Sequence, residues 1–447
     1  MKDEVCVLAT TGMLGSGFSE ESFLKALEYH PDVIGCDSGS TDSGPYCLGA
    51  GVPNKSKKAI KRDLKIMIVN GVKQHIPVLV GSAGTAGAEA HLQWTLDIVR
   101  EIAEEENLHF KLAAIHAEIS KETLRGYIKK GKMKPLYPEI PFQESNVDDL
   151  VRVVGVMGPE PYIEAIKNGA DVIIAGRSND TAIFAAVPVM NGIADGPTWQ
   201  AAKMLECGAG CAQKRFHPDC MMAWIRKDSC CIEPPNPKFR CTPVSCVSHT
   251  LYENADPFHI YEPSGVLDIT NATYTAESER RVRVEGCEFK KADKYTIKLE
   301  GVIKAGYRQI TIGAIRDPII LRQLHKFLDS ATESIEHKVS ISLNMAPEEY
   351  KFQIRIYGEK NGEIPKEVGI VMECIAKAQE QAAAVMAVAW HTILHHPIPE
   401  WSGLQSQVAF PFSPPSVPAG EVYHFALNHV LEVEDPNELF PITYSDL

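Results

Sequence analysis

Over the first 200 residues, short apolar runs alternate with longer amphipathic stretches. "VCVLATTG" (5–12), "DVIGCD" (32–37), "IPVLV" (76–80), "FKLAAIHAEI" (110–119), "RVVGVMG" (152–158) and "DVIIAGR" (171–177) read as strands without polar alternation. Between them "SEESFLKALEYH" (19–30), "KKAIKRDLKIMIVNGVKQH" (57–75), "AHLQWTLDIVREIAEEEN" (90–107) and "EPYIEAIKNG" (160–169) read as helices, the first opened by Ser19 with Glu21 and Ser22 in a capping pattern. Strands that are apolar on both faces and separated by helices imply a parallel sheet covered on both sides. The expected fold is α/β, with a parallel doubly wound sheet of Rossmann or flavodoxin-like type in the N-terminal half.

After residue 215 the texture changes. "CCIEPPNPKFRCTP" (230–243) is proline-rich and reads as a boundary. "RRVRVEGCEF" (280–289) and "KYTIKLEGV" (294–302) alternate as strands do. "DPIILRQLHKFLDSATESIEH" (317–337) reads as a helix, "KVSISLNM" (338–345) and "KFQIRIYG" (351–358) as strands, and 366–396 as one long alanine-rich helix. Residues 1–215 are therefore expected to form an α/β ligand-binding domain, and residues 216–447 a second, α+β domain that completes the site.

Length and composition narrow the possibilities. At 447 residues the chain exceeds one ordinary core. Its net charge of −13, from 58 acidic and 45 basic residues, argues against nucleic acid, which is bound through Lys and Arg. A local site for an acidic small molecule remains compatible with that surface. No window of ~18 apolar residues suits a membrane span, and "MKDEVCVLAT" lacks the pattern of a signal peptide. A cytoplasmic protein and a homo-oligomer are expected. Of twelve cysteines, seven (Cys207, Cys211, Cys220, Cys230, Cys231, Cys241 and Cys246) fall within forty residues. Only "CGAGC" and "CTPVSC" come near zinc spacing, so buried thiols are the expectation over a structural metal.

The candidate chemistry sits where strands end, which is where such sheets bind ligands. "TTGMLGSGFSEES" (10–22) offers backbone amides at Gly12, Gly15 and Gly17 for an anion ahead of a helix. It lacks the Lys-Ser/Thr of a phosphate loop and the glycine spacing of a dinucleotide loop. "GCDSGSTDSGP" (35–45) offers Asp37 and Asp42 as acid/base groups or ligands of a divalent metal, with Ser38, Ser40 and Thr41 as hydrogen-bond donors. A capped turn needs one such Asp; two amid several hydroxyls suggest a ligand pocket. "GSAGTAG" (81–87) adds Ser82, Gly84 and Thr85. In "GRSNDTAIFAA" (176–186), Arg177 is a candidate clamp for a carboxylate or phosphate, with Ser178, Asn179 and Asp180 at a helix start; an Arg177–Asp180 ion pair is the plainer alternative. "SHTLYENADPFHIYEPSG" (248–265) contributes His249 and Glu253, four apart, as acid/base candidates. "GYRQITIGAIRDP" (306–318) contributes Arg316, which would either meet an acidic substrate or pair with a neighbouring carboxylate. No G-x-S-x-G nucleophile elbow is present.

Six blocks in order, "GCDSGSTDSGPYCLG", "GSAGTAG", "AGRSNDTAIFAA", "HTLYENADPF" with "EPSG", "GYRQITIGAIRDP" and "FPFSPPSVPAGEVYHFALNHV", resemble the acyclic terpene utilisation AtuA family nearly end to end. The resemblance implies a lyase in terpene breakdown acting on a branched 3-hydroxyglutaryl-CoA thioester, and a small partner protein. The expected function is thus a lyase or hydratase acting on an acidic substrate, a hydroxy acid or a CoA thioester. The alternatives are a non-catalytic carboxylate-binding subunit and, from the imperfect first loop alone, a nicotinamide-dependent oxidoreductase.

Overall fold

The computed structural model describes residues 2–213, 215–360, 362–400 and 407–447. The chain divides into two compact units, Met1–Val302 with Phe425–Leu447, and Ile303–His424. It is a mixed α/β protein with several sheets. Among the described residues no helix is long and apolar enough to cross a membrane.

In the first unit the strands β1 (Val5–Ala9), β2 (Val33–Asp37), β3 (Val78–Gly81), β4 (Lys111–Ile115) and β5 (Val172–Ala175) lie parallel in the order β1-β2-β3-β5-β4. Apart from Lys111, every residue of the five is buried, which explains their unbroken apolar sequences. The order differs from the 3-2-1-4-5 and 2-1-3-4-5 arrangements of dinucleotide-binding and flavodoxin-like sheets. β1 is moreover flanked on its outer side by an antiparallel strand, Met221–Ile225, which continues to Ser229–Glu233 and Val282–Glu285. The strand Ile442–Asp446 closes the other edge, antiparallel to β4. Residues beyond 215 therefore extend the first unit's sheet, and the proline-rich stretch is a connection inside that unit, not its limit. The apolar run at 152–158 also lies outside this sheet: Leu150–Val156 pairs with the strand Tyr295–Ile315.

Successive strand residues point to opposite faces. Ile34 and Val80 pack into a core with Leu64, Met67, Leu96 and Val99 from the helices Lys57–Gln74 and Glu89–Glu106. Their neighbours Gly35 and Gly81 face the other way, against the helix Asp180–Met190. A Cβ on Gly35 would lie 2.7 Å from Phe184, and one on Gly81 would lie 2.5 Å from Ile183. Two missing side chains thus let this helix settle directly on the sheet, and its N-terminus arrives at the carboxyl ends of β2 and β3.

The second unit has its own core. Tyr350–Tyr357 pairs antiparallel with Val368–Ala376, which pairs with residues 307–315. The helices Leu324–Leu343 and Gln379–His395 pack over these strands through Phe327, Ile335, Val385 and Met386. Two local expectations change here. The stretch 338–343 continues a helix although its residues favour strands, because Val339 packs in this core. Val368–Ala376 is a strand, and the alanine-rich helix begins only at Gln379.

Candidate functional site

Asp37 ends β2 with 5% of its surface exposed. Its Oδ2 accepts the Gly39 amide at 3.1 Å, while Oδ1 is shut away from solvent without a hydrogen-bond partner. Next to it, the Ser38 amide donates to the Gly81 carbonyl at 2.9 Å, and its hydroxyl is likewise buried and unpartnered. Thr11, just past β1, has a third such oxygen. Buried polar side chains are normally paired, so these three atoms mark the ends of β1 and β2 as unusual.

Arg177 follows β5 and is 6% exposed. Its Nε donates to Glu300 at 3.1 Å, and its Nη1 donates to the Ser82 hydroxyl at 3.1 Å and the Ser178 carbonyl at 3.0 Å. Asp180 stands 3.7 Å from Nη1. Glu300 is further held by Lys298 at 2.8 Å and by the Thr41 hydroxyl at 3.0 Å. Against the burial that would raise it, Arg177 and Lys298 hold Glu300 down to about 2. The guanidinium is therefore already committed inside the protein, and the expected clamp on a substrate carboxylate is a buried ion-pair hub. The strand that carries Glu300 supplies the partner the local sequence does not show.

The carboxylates around this hub act on one another. Burial, and then the charge of Asp180, push Asp37 well above the usual carboxylate range, with Arg177 opposing. Asp180, whose side chain is 36% exposed, is also raised by desolvation and by Asp42, with Arg177 opposing. Two repelling carboxyl groups at one site favour sharing a single proton.

The same helix start reaches a second group. Asn179 and Thr181 both donate to Glu262, Thr181 at 2.7 Å. Burial pushes Glu262 up to about 8, with the Thr181 bond opposing and Glu206 adding. Glu206 pairs with Lys203 at 2.6 Å. One ligand atom each from Glu206, Cys207 and His249 lies within 4.8 Å of the others, a set of carboxylate, thiol and imidazole that suits a divalent cation with an open position. The His249 Nε2 is buried without a partner. A cavity of about 340 Å³ is lined by Thr11, Gly12, Cys207 and Arg215 among others.

The remaining candidates fall elsewhere. The Gly15 and Gly17 amides donate to Asp63 at 2.9 and 3.0 Å, so the chain's own buried carboxylate occupies the anion site of that loop. Gly12 instead packs against Cys207, where a Cβ would meet the backbone at 2.9 Å. Thr85 bonds Asn54 at 2.9 Å, and Gly84 packs against His91. Asp42 is exposed and accepts from the Ser40 hydroxyl at 2.8 Å. It does not join Asp37 and Asp180 in a common ligand set among the described residues. Glu253 is exposed. Arg316 belongs to the second unit and pairs with Glu367 at 3.0 Å.

The model of the acyclic terpene utilisation family protein AtuA matches residues 55–216 and 222–411. The chain belongs to that family. No curated protein and no solved structure matches it. The match spans Arg177, Asp180, Glu206, Cys207, His249, Glu262 and Glu300, and it begins after Asp37 and Ser38. Several participants in this site escape a reading from the sequence, among them Glu206, Lys203, Arg215 and Glu300. Glu300 carries no local signal, since it takes a polar position in the alternating run 294–302 and only the structure shows it buried. Lys203 and Glu206, at the end of a helix, look like any solvated pair three apart.

Proposed function

We propose that the protein is a lyase or hydratase acting on an acidic substrate, a hydroxy acid or a branched acyl-CoA thioester, in terpenoid or carboxylate breakdown. The observation that carries this reading is the set of buried, unpartnered polar atoms: Asp37 Oδ1, Ser38 Oγ, Thr11 Oγ1 and His249 Nε2. Each unmet buried group costs about 1–3 kcal/mol. A bound substrate that supplied the missing partners would recover that cost on binding.

Loss of water from a hydroxy acid takes a proton from the carbon beside the carbonyl and returns one to the departing hydroxyl. Asp37 and Asp180 are suited to divide these tasks, because burial and the Asp180 charge favour the protonated form of Asp37 while Arg177 favours the ionised form of Asp180. Arg215, on the cavity wall, would meet a substrate carboxylate or the developing enolate charge. Glu206, Cys207 and His249 are where a divalent cation would sit to polarise the carbonyl oxygen.

The test is a thermal-shift panel of CoA, acyl-CoA thioesters, hydroxy acids and di- and tricarboxylates, with and without Mg²⁺, Mn²⁺ or Zn²⁺, followed by mass spectrometry for products. A bound ligand raises the melting temperature by mass action. The expected result is a shift with a hydroxy acid or its thioester and product formation by the chain alone. A shift without turnover would replace the enzyme by the non-catalytic carboxylate-binding subunit, acting with a small partner protein. No shift with any compound would remove both.

A further inference from the structure

All twelve cysteines are free, and eleven of them are buried. Buried thiols used as small apolar groups have no reason to meet. Three of them do: the Sγ atoms of Cys211, Cys241 and Cys246 all lie within 4.8 Å of one another. They come from three separate elements. Cys211 ends the short 3-10 turn Gly208–Cys211, Cys241 sits on the two-residue strand Arg240–Cys241, and Cys246 lies in the helix Pro243–Thr250.

Short local contacts hold these pieces: the Cys241 amide donates to the Arg280 carbonyl at 3.1 Å, and Thr242 and Ser245 form a capping box at the helix start. The strand Arg240–Cys241 pairs over two residues with Ala212–Gln213, and the stretch before it is rich in proline. An ion bound at about 2.3 Å by tetrahedral thiolates places the sulfurs about 3.8 Å apart, so three sulfurs within 4.8 Å need only a small contraction. Cys241 and Cys246 have the C-x₄-C spacing of paired ligands. Met221 Sδ lies 3.9 Å from Cys241 Sγ, which adds a thioether beside the group. Sulfur-only surroundings select zinc or monovalent copper over harder ions.

We infer that Cys211, Cys241 and Cys246 form a structural binding site for one thiophilic d¹⁰ cation, Zn²⁺ or Cu⁺. On binding, the thiols lose their protons to solvent and the ion takes the thiolates, with no change of oxidation state. The ion ties the 3-10 turn to the helix. That turn starts just after Cys207, and His249 lies on the same helix three residues beyond Cys246. The bound ion therefore also fixes the spacing of two members of the Glu206–Cys207–His249 group. The inference does not depend on the proposed chemistry, because it is read from metal content and not from turnover.

The experiment is elemental analysis of the purified full chain, alone and as Cys246→Ser, Cys230→Ser and His249→Ala. The expected result is one thiolate-bound equivalent of zinc or copper per chain, lost at least tenfold in Cys246→Ser and kept in Cys230→Ser; any further equivalent lost in His249→Ala belongs to the separate Glu206–Cys207–His249 group. If Cys246→Ser does not fold, titration of the wild-type chain with an organomercurial in the presence of a chromophoric chelator gives the same answer. It should release one equivalent of metal as the thiolates are capped. Metal lost in His249→Ala and kept in Cys246→Ser would overturn the assignment. So would a chain that is isolated metal-free and takes up neither Zn²⁺ nor Cu⁺ under anaerobic reducing conditions, or a disulfide among the three.

Discussion

Asp37 in the first unit and Glu373 in the second are equally buried, each 5% exposed, and each lies on a strand of its unit's sheet. Their surroundings are opposite. Glu373 is ion-paired with Arg308 at 2.5 Å and Arg355 at 2.9 Å, and it accepts a hydrogen bond from the Gln353 amide. Those bonds and charges outweigh burial and hold it below the usual range. Asp37 has one backbone amide, a bare second oxygen and a like charge nearby, and it is pushed up. A buried carboxylate whose oxygens are answered serves the fold, whereas one left unanswered is a candidate partner for a ligand.

The sharpest test removes a satisfied charge. Glu300→Gln leaves Arg177 buried with its main partner neutralised. Breaking a buried ion pair from one side costs 3–5 kcal/mol. About 3 kcal/mol is expected here, because Asp180 stands 3.7 Å from the same guanidinium. The midpoint of urea unfolding would show it. A midpoint unchanged within about 0.5 kcal/mol would mean the hub is not structural. In the second unit, Glu373→Gln should cost less, about 1–2 kcal/mol, since its arginines retain 37% and 47% side-chain exposure and can be hydrated.

The two kinds of carboxylate also predict opposite pH slopes. Glu262 is raised from an unfolded value of about 4.3 to about 8. The folded state binds its proton more tightly, so its contribution is complete below the unfolded value and is lost as pH rises through about 8. Stability should fall by up to about 1.4 kcal/mol per pH unit across that window. Glu262→Gln should flatten the fall. For Glu373, which is lowered, the contribution is present above the unfolded value and is lost on the acid side. Unfolding midpoints of wild type and Glu262→Gln across this range would decide. Parallel curves would show that Glu262 is not the group responsible.

How far such contrasts can be read from sequence depends on where the partners come from. Asp37, Ser38, Ser82, Arg177 and Asp180 are legible because unbroken apolar strands deliver polar residues to one edge of a parallel sheet. The role of Arg177 is not, since it is set by Glu300, 123 positions away. The Gly15 and Gly17 loop has the composition of an anion site and does hold an anion, but the anion is Asp63, on a helix whose sequence looks merely amphipathic. Unit boundaries fail for a related reason. The division between Val302 and Ile303 falls in a strand-like run with no linker composition, whereas the proline-rich stretch that resembles a linker lies inside one unit.

The smallest expected change in stability is the most informative for function. Asp37→Asn keeps an oxygen for the Gly39 amide and removes a charge that the buried site disfavours. The fold should change by less than about 1 kcal/mol, in either direction. Turnover should fall by about 100-fold or more, because an amide cannot hold or deliver the proton, and the ligand-induced thermal shift should shrink. Asp42→Asn, at an exposed position bonded to Ser40, should leave stability nearly unchanged and affect turnover far less than Asp37→Asn, through the loss of its charge near Asp180 alone. If Asp37→Asn instead destabilised the protein by several kcal/mol, Asp37 would belong with Glu373, and its bare oxygen would have a structural partner such as a bound water. If it changed neither stability nor binding, the vacancy at the end of β2 would not be the site, and the Cys207 cavity alone would remain to be tested by Arg215→Ala.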